Sequence, residues 1–64
     1  MTKAFIAGCA GETLSADERT FFERERPWGL ILFSRNCVSG AQIRALVEDF
    51  RSVVGVSNAP VLID

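Results

Sequence analysis

WGLILF, residues 28–33, contains no charged side chain. A strand wetted on one face alternates apolar and polar residues, whereas one covered on both faces reads as an unbroken apolar run. The stretch is of the second kind. It is short for a helix, and its Ile31 is β-branched. The pattern predicts a parallel strand covered by helices over Trp28–Phe33. Ser34, Arg35 and Asn36 end that strand at its carboxyl end.

Upstream, KAFIAG predicts a buried strand over 3–8, followed by a loop, CAGETL, in which Gly11 is free to take unusual backbone angles. A helix is expected over Ser15–Arg26. Ser15 and Glu18 have the S-x-x-E spacing in which each side chain satisfies a free amide of the other residue. Asp17 and Glu18 suit the positive end of the helix dipole. Phe21 and Phe22 are expected on its inner face. The charges of Arg19 and Glu23–Arg26 form a solvated outer face, and Pro27 stops the helix.

Downstream, Ser39 and Gln42 repeat the capping spacing. Ile43, Leu46, Val47, Phe50 and Val54 fall on one helical stripe, which predicts a helix over Ser39–Val54. Gly55 is its expected stop. Val61, Leu62 and Ile63 form a third strand, closed by Asp64.

The order is βαβαβ. Connections this long leave room for crossover helices, so the fold class is α/β, with parallel strands and right-handed crossovers. Such a unit builds doubly wound sheets and the TIM (β/α)8 barrel. Both helices are expected on one side of the sheet, as in a barrel whose helices all lie outside. In either architecture function gathers at the carboxyl ends of the strands. Here those ends are Gly8–Gly11, Ser34–Asn36 and Asp64.

Composition narrows the function classes. The 64 residues allow one domain, and 48% hydrophobic with 23% charged residues is ordinary for a globular protein. A net charge of −1 offers no electrostatic footprint for nucleic acid or an anionic membrane. No run reaches the ~18 apolar residues of a membrane-spanning helix. IAGC, residues 6–9, has the shape of a lipoprotein cleavage site. Only five residues separate Lys3 from Cys9, however, too few for the apolar core of a signal peptide, which needs roughly 7–15. A cytoplasmic location is therefore expected. Histidine is absent, and Cys9 and Cys37 alone cannot make a usual four-ligand zinc site. No metal or cofactor is expected. The two cysteines are read as free thiols of a reducing compartment, with a Cys9–Cys37 disulfide as the alternative.

The strand ends carry the candidate residues. Gly8–Gly11 lacks the spacing of a dinucleotide or phosphate loop and reads as a connector. Cys9 has no histidine to activate it as a nucleophile. Arg35 and Asn36 admit two readings: ligand contacts, or a structural ion pair and a turn residue. Asp64, a carboxylate directly after an apolar strand, is placed for binding; a helix N-cap is the other reading.

Taken together, Gly29–Phe33, Arg35, Asn36, Gln42, Leu46 and Val61–Asp64 resemble the amino-terminal part of the bacterial β-N-acetylhexosaminidases of glycoside hydrolase family 3. The shared pattern is a strand of the kind G-[VL]-ILF-x-RN, a helix with Q-[IVL]-x-x-L, and a strand ending in Asp. The opening FIAGCAGETLSADE is similar to the family's G-x-x-L-x-x-[DE]-E start. The resemblance covers essentially the whole chain. It implies the first three strands and two helices of a TIM barrel, a fold of typically about 250 residues. It implies a retaining hydrolase that removes N-acetylglucosamine from muropeptides in cell-wall recycling.

The family's nucleophile, an Asp late in the barrel, and its His–Asp acid/base pair map to no residue here. No catalytic residue is therefore expected in this chain, and these 64 residues alone are expected to be inactive. Asp64 matches the family's Asp that grips the sugar hydroxyls. It is the one substrate-binding residue the resemblance carries over, and the family's next residues, Q-E-G-G-R-V, would follow it. A non-catalytic α/β binding module is the alternative reading of the chain.

Overall fold

The computed structural model describes residues 3–64. The elements follow in the expected order: β1 (Lys3–Ala7), α1 (Ala16–Glu25), β2 (Pro27–Leu32), a 3-10 turn (Ser34–Asn36), α2 (Gly40–Val54) and β3 (Val61–Ile63). The sheet runs β1-β2-β3. Both pairings are parallel, with Ile6 beside Gly29, Leu30 between Ala7 and Val61, and Leu32 beside Ile63. The register slips once in β1, between Lys3 and Ile6.

Both helices start as their spacing requires. Ser15 Oγ accepts from the Glu18 N–H at 3.1 Å, and Glu18 Oε1 accepts from the Ser15 N–H at 2.8 Å. Ser39 and Gln42 make the same reciprocal pair. Gly55 ends α2 in the left-handed region, at φ 76°. The end of α1 differs from expectation. The residue before a proline is normally extended, yet Arg26 is left-handed at φ 48°. Its N–H still closes the last turn onto Phe22 O, and Pro27 becomes the first residue of β2, a position where a strand tolerates a missing donor.

The core lies between the sheet and one helix layer. Leu30 and Leu32 of β2, Phe22 of α1, and Leu46, Phe50 and Val54 of α2 are buried. Phe22 and Phe50 meet edge-on, with ring centroids 5.5 Å apart. Arg19 reaches Asp49 at 2.6 Å. The two helices therefore pack side by side on the same face of the sheet, as expected. Phe21 corrects the sequence reading: it is 42% exposed. Adjacent helical residues point about 100° apart, so α1 turns only one of the two rings inward. Phe21 instead lies edge-on against Phe22 on the outside.

The other face of the sheet carries the alternate residues, including Ile6, Gly29, Ile31 and Leu62. No helix covers it. Ile6 and Leu62 are exposed there. At the start of β1 and β2, Ala4, Phe5, Ile6 and Trp28 line an apolar cleft of about 310 Å³.

Gly29 has a steric cause. A Cβ there would stand 2.9 Å from the backbone oxygen of Pro60, the same oxygen that accepts from the Leu30 N–H at 3.0 Å. Gly29→Ala must push β2 and the β3 approach apart. It is expected to destabilise by about 1–3 kcal/mol, as overpacking does. Gly40→Ala, whose new methyl meets nothing within 4 Å beyond its chain neighbours and its own helix backbone, is the control. Thermal melts of the two variants that coincide would contradict the steric account.

Candidate functional site

The carboxyl ends of the three strands come together at one edge of the sheet. Asp64 extends the ladder past β3, its N–H donating to Leu32 O at 2.9 Å. It stands two residues after Leu62, so the alternation of an extended chain puts it on the face away from the helices. The residue is exposed.

Asn36 is fully buried, and all its side-chain polar atoms are used. Its Oδ1 accepts from the Phe33 N–H at 2.9 Å. Its Nδ2 donates to Cys9 O at 3.1 Å and to Gly11 O at 2.6 Å. Of its two readings, the structural one holds, and in stronger form than a turn residue: Asn36 fastens the end of β2 to the loop after β1. Gln42 adds a second fastener. Beyond its capping role, its Nε2 donates to Glu12 O at 2.7 Å and to Asn36 O at 2.8 Å. Glu18 adds a third, with Oε2 accepting from the Ala10 N–H at 2.8 Å.

Arg35 is exposed and makes no ion pair among the described residues. Its Nη2 donates to Cys9 O at 3.3 Å, and its guanidinium carbon lies 5.0 Å from the centre of the Phe33 ring. The structural half of its sequence reading is corrected accordingly: the partners are a carbonyl and an aromatic face.

Two groups here have shifted proton affinities. Burial tends to raise the Glu18 carboxyl, but the N–H groups of Ser15 and Ala10, which bond its charged form, hold it below the usual carboxylate range. Burial pushes the Cys9 thiol up, and the nearby Glu18 carboxylate adds to the shift. Cys9 is buried and unbridged, as is half-buried Cys37. A thiol held protonated is a poor nucleophile, so Cys9 belongs to the packing of the strand ends.

A surface depression of about 630 Å³ is lined by Thr13, Gln42, Ala45, Leu46, Glu48 and Asp49. No residue of the sheet borders it, and no candidate from the sequence points to it. The strand ends carry the better case for a site, because a carboxylate, an arginine and an aromatic ring stand there on adjacent strand ends. Sequence reasoning named Asp64 and Arg35 as candidates. It took Phe33 only as the end of an apolar run and Gln42 only as a cap. The signal for Phe33 was its position, the last apolar residue at a strand's carboxyl end.

No helix of the described residues is long and apolar enough to cross a membrane. No protein-family model matches the chain. Over 43 residues, 67% of its length, the chain is 54% identical to a beta-hexosaminidase of Methylococcus capsulatus (strain Bath). It spans only 13% of that protein. This likeness relates the chain to a hexosaminidase and, more broadly, to glycosidases.

Proposed function

We propose that these residues form the opening βαβαβ part of a TIM-barrel β-N-acetylhexosaminidase of glycoside hydrolase family 3, a retaining enzyme that removes terminal N-acetylglucosamine from muropeptides in the cytoplasm. The observation that carries this reading is the 54% identity to a beta-hexosaminidase. Two features of the chain support it. The strands run in sequential order with both helices on one face. The opposite face is apolar and uncovered, as the interior of an unclosed barrel would be.

Helix placement alone does not separate a barrel from one half of a doubly wound sheet, since crossovers advancing in one direction put their helices on one face in both. The glycine spacing of a dinucleotide fold is missing after β1, which leaves the barrel as the better account.

In this reading Asp64 accepts hydrogen bonds from neighbouring hydroxyls of one sugar ring, and the nucleophile and acid/base lie elsewhere in the barrel. The test is hydrolysis of a chromogenic β-N-acetylglucosaminide by the full-length protein. Residues 1–64 alone are expected to release nothing. They lack the acid/base group, which by itself commonly supplies about 10²–10⁴-fold. A full-length protein silent on this substrate, or a 64-residue chain that hydrolyses it unaided, would sink the proposal.

A further inference from the structure

We infer that Phe33 is a sugar-binding residue: its ring forms the apolar wall beside Asp64 against which the N-acetylglucosamine unit packs. The inference rests on the proposed function above and deepens it.

The geometry is that of adjacent strand ends. The β2–β3 register pairs Leu30 with Val61, Ile31 with Leu62 and Leu32 with Ile63. Asp64 N–H donates to Leu32 O, the bond that closes the Leu32–Ile63 pair, and continuing this register sets Phe33 beside Asp64. Neighbouring strands lie about 4.8 Å apart. Phe33 is itself extended, at φ −115° and ψ 174°, so its side chain continues the alternation. Leu30 and Leu32 are buried under the helices. Ile31 and Phe33 therefore turn to the opposite face, the one Asp64 shares.

The ring is also held. Asn36 Oδ1 accepts from the Phe33 N–H, and the Arg35 guanidinium, tied to Cys9 O, lies over the ring. A cation over an aromatic face is attracted by its quadrupole. Phe33 remains half-buried, so part of the ring is accessible.

This pairing suits a pyranose. The hydroxyls of such a ring project round its rim, where a carboxylate accepts them. Its axial C–H bonds and the acetamido methyl are weakly positive, and they favour the negative face of an aromatic ring. Neither the carboxylate nor the ring alone recognises both aspects of the sugar.

The experiment compares wild type, Phe33→Leu and Phe33→Tyr in the full-length protein, with a chromogenic β-N-acetylglucosaminide as substrate and a thermal melt of each. A contact made equally in ground and transition states moves KM and leaves kcat. Phe33→Leu is expected to raise KM about tenfold, the size of one lost aromatic contact, with kcat within about threefold of wild type. Phe33→Tyr keeps the ring and is expected to stay within about twofold of wild type in KM. If the leucine variant does not fold, Phe33→Met carries the same expectation. A Phe33→Leu enzyme with wild-type KM overturns this inference and leaves the proposed function standing, as does a tyrosine variant as weak as leucine. A wild type without activity removes both.

Discussion

Asn36→Ala is expected to be among the most damaging single substitutions in the chain. It leaves the Phe33 N–H without a partner, the Gly11 carbonyl with only the long contact from the Cys9 thiol, and Cys9 O with only the long bond from Arg35. A buried polar group deprived of its partner costs about 1–3 kcal/mol. Two such groups approach the whole stability of a small domain, roughly 0.05–0.15 kcal/mol per residue. The melting temperature is expected to fall by roughly 4–8 °C per kcal/mol lost in a unit of this size. Asn36→Asp sharpens the test. The new carboxylate keeps an acceptor for Phe33 but turns the other oxygen toward two carbonyls. Burial and those carbonyls raise its folded-state pKa above the ordinary value near 3.9. Stability is therefore greatest below about pH 4 and is lost as pH rises through the folded-state pKa. An Asn36→Ala protein that melts with wild type, or an Asn36→Asp protein that gains stability with rising pH, would contradict the account.

Under the proposed function, Asp64→Ala is expected to carry the other large effect, this time on activity. If Asp64 accepts from two sugar hydroxyls, its loss removes two charged hydrogen bonds of about 1.5–3 kcal/mol each. The expected fall in kcat/KM of the full-length enzyme is on the order of 10²–10⁴-fold. Asp64→Asn keeps the shape and loses the charge, so it should fall between, because charge-assisted bonds are roughly twice as strong as neutral ones. The melting temperature should not move, since the side chain is exposed at the strand end and outside the helix-covered core. Unchanged kinetics with an early melt would assign Asp64 to structure and withdraw it from the site.

The two predictions join at one place. Asn36 holds the backbone of Phe33, and Phe33 is the residue set beside Asp64 by the strand register. The buried amide thus supports the exposed carboxylate's surroundings without touching a ligand. A partial substitution there is expected to loosen the site before it unfolds the chain.

Much of this architecture was legible in the chain. The two helix starts were written in pairs three residues apart, Ser15 with Glu18 and Ser39 with Gln42. The inner face of α2 was written at helical spacing, with Leu46, Phe50 and Val54 buried as expected. The unbroken run at Trp28–Phe33 placed the central strand, displaced by one residue to Pro27–Leu32. These features depend on residues three to eleven apart, and local geometry alone relates them.

The rest depended on residues far apart in the chain. Which phenylalanine of the adjacent pair is buried follows from the rotation of α1 against Phe50, a residue of the other helix. Gly29 is required by Pro60, on a neighbouring strand's approach. Asn36 reads in sequence like a turn residue, and only the meeting of the β1 and β2 ends turns it into a clasp on Cys9 and Gly11, 27 and 25 residues away. The sequence by itself determined the order, the kind and nearly the bounds of the elements, because hydrogen bonding and amphipathic spacing act over a turn or a pleat. The tertiary structure decided which polar side chains fasten the strand ends and which stay exposed beside them, because that choice is made by desolvation, and a residue is desolvated only when distant segments close over it.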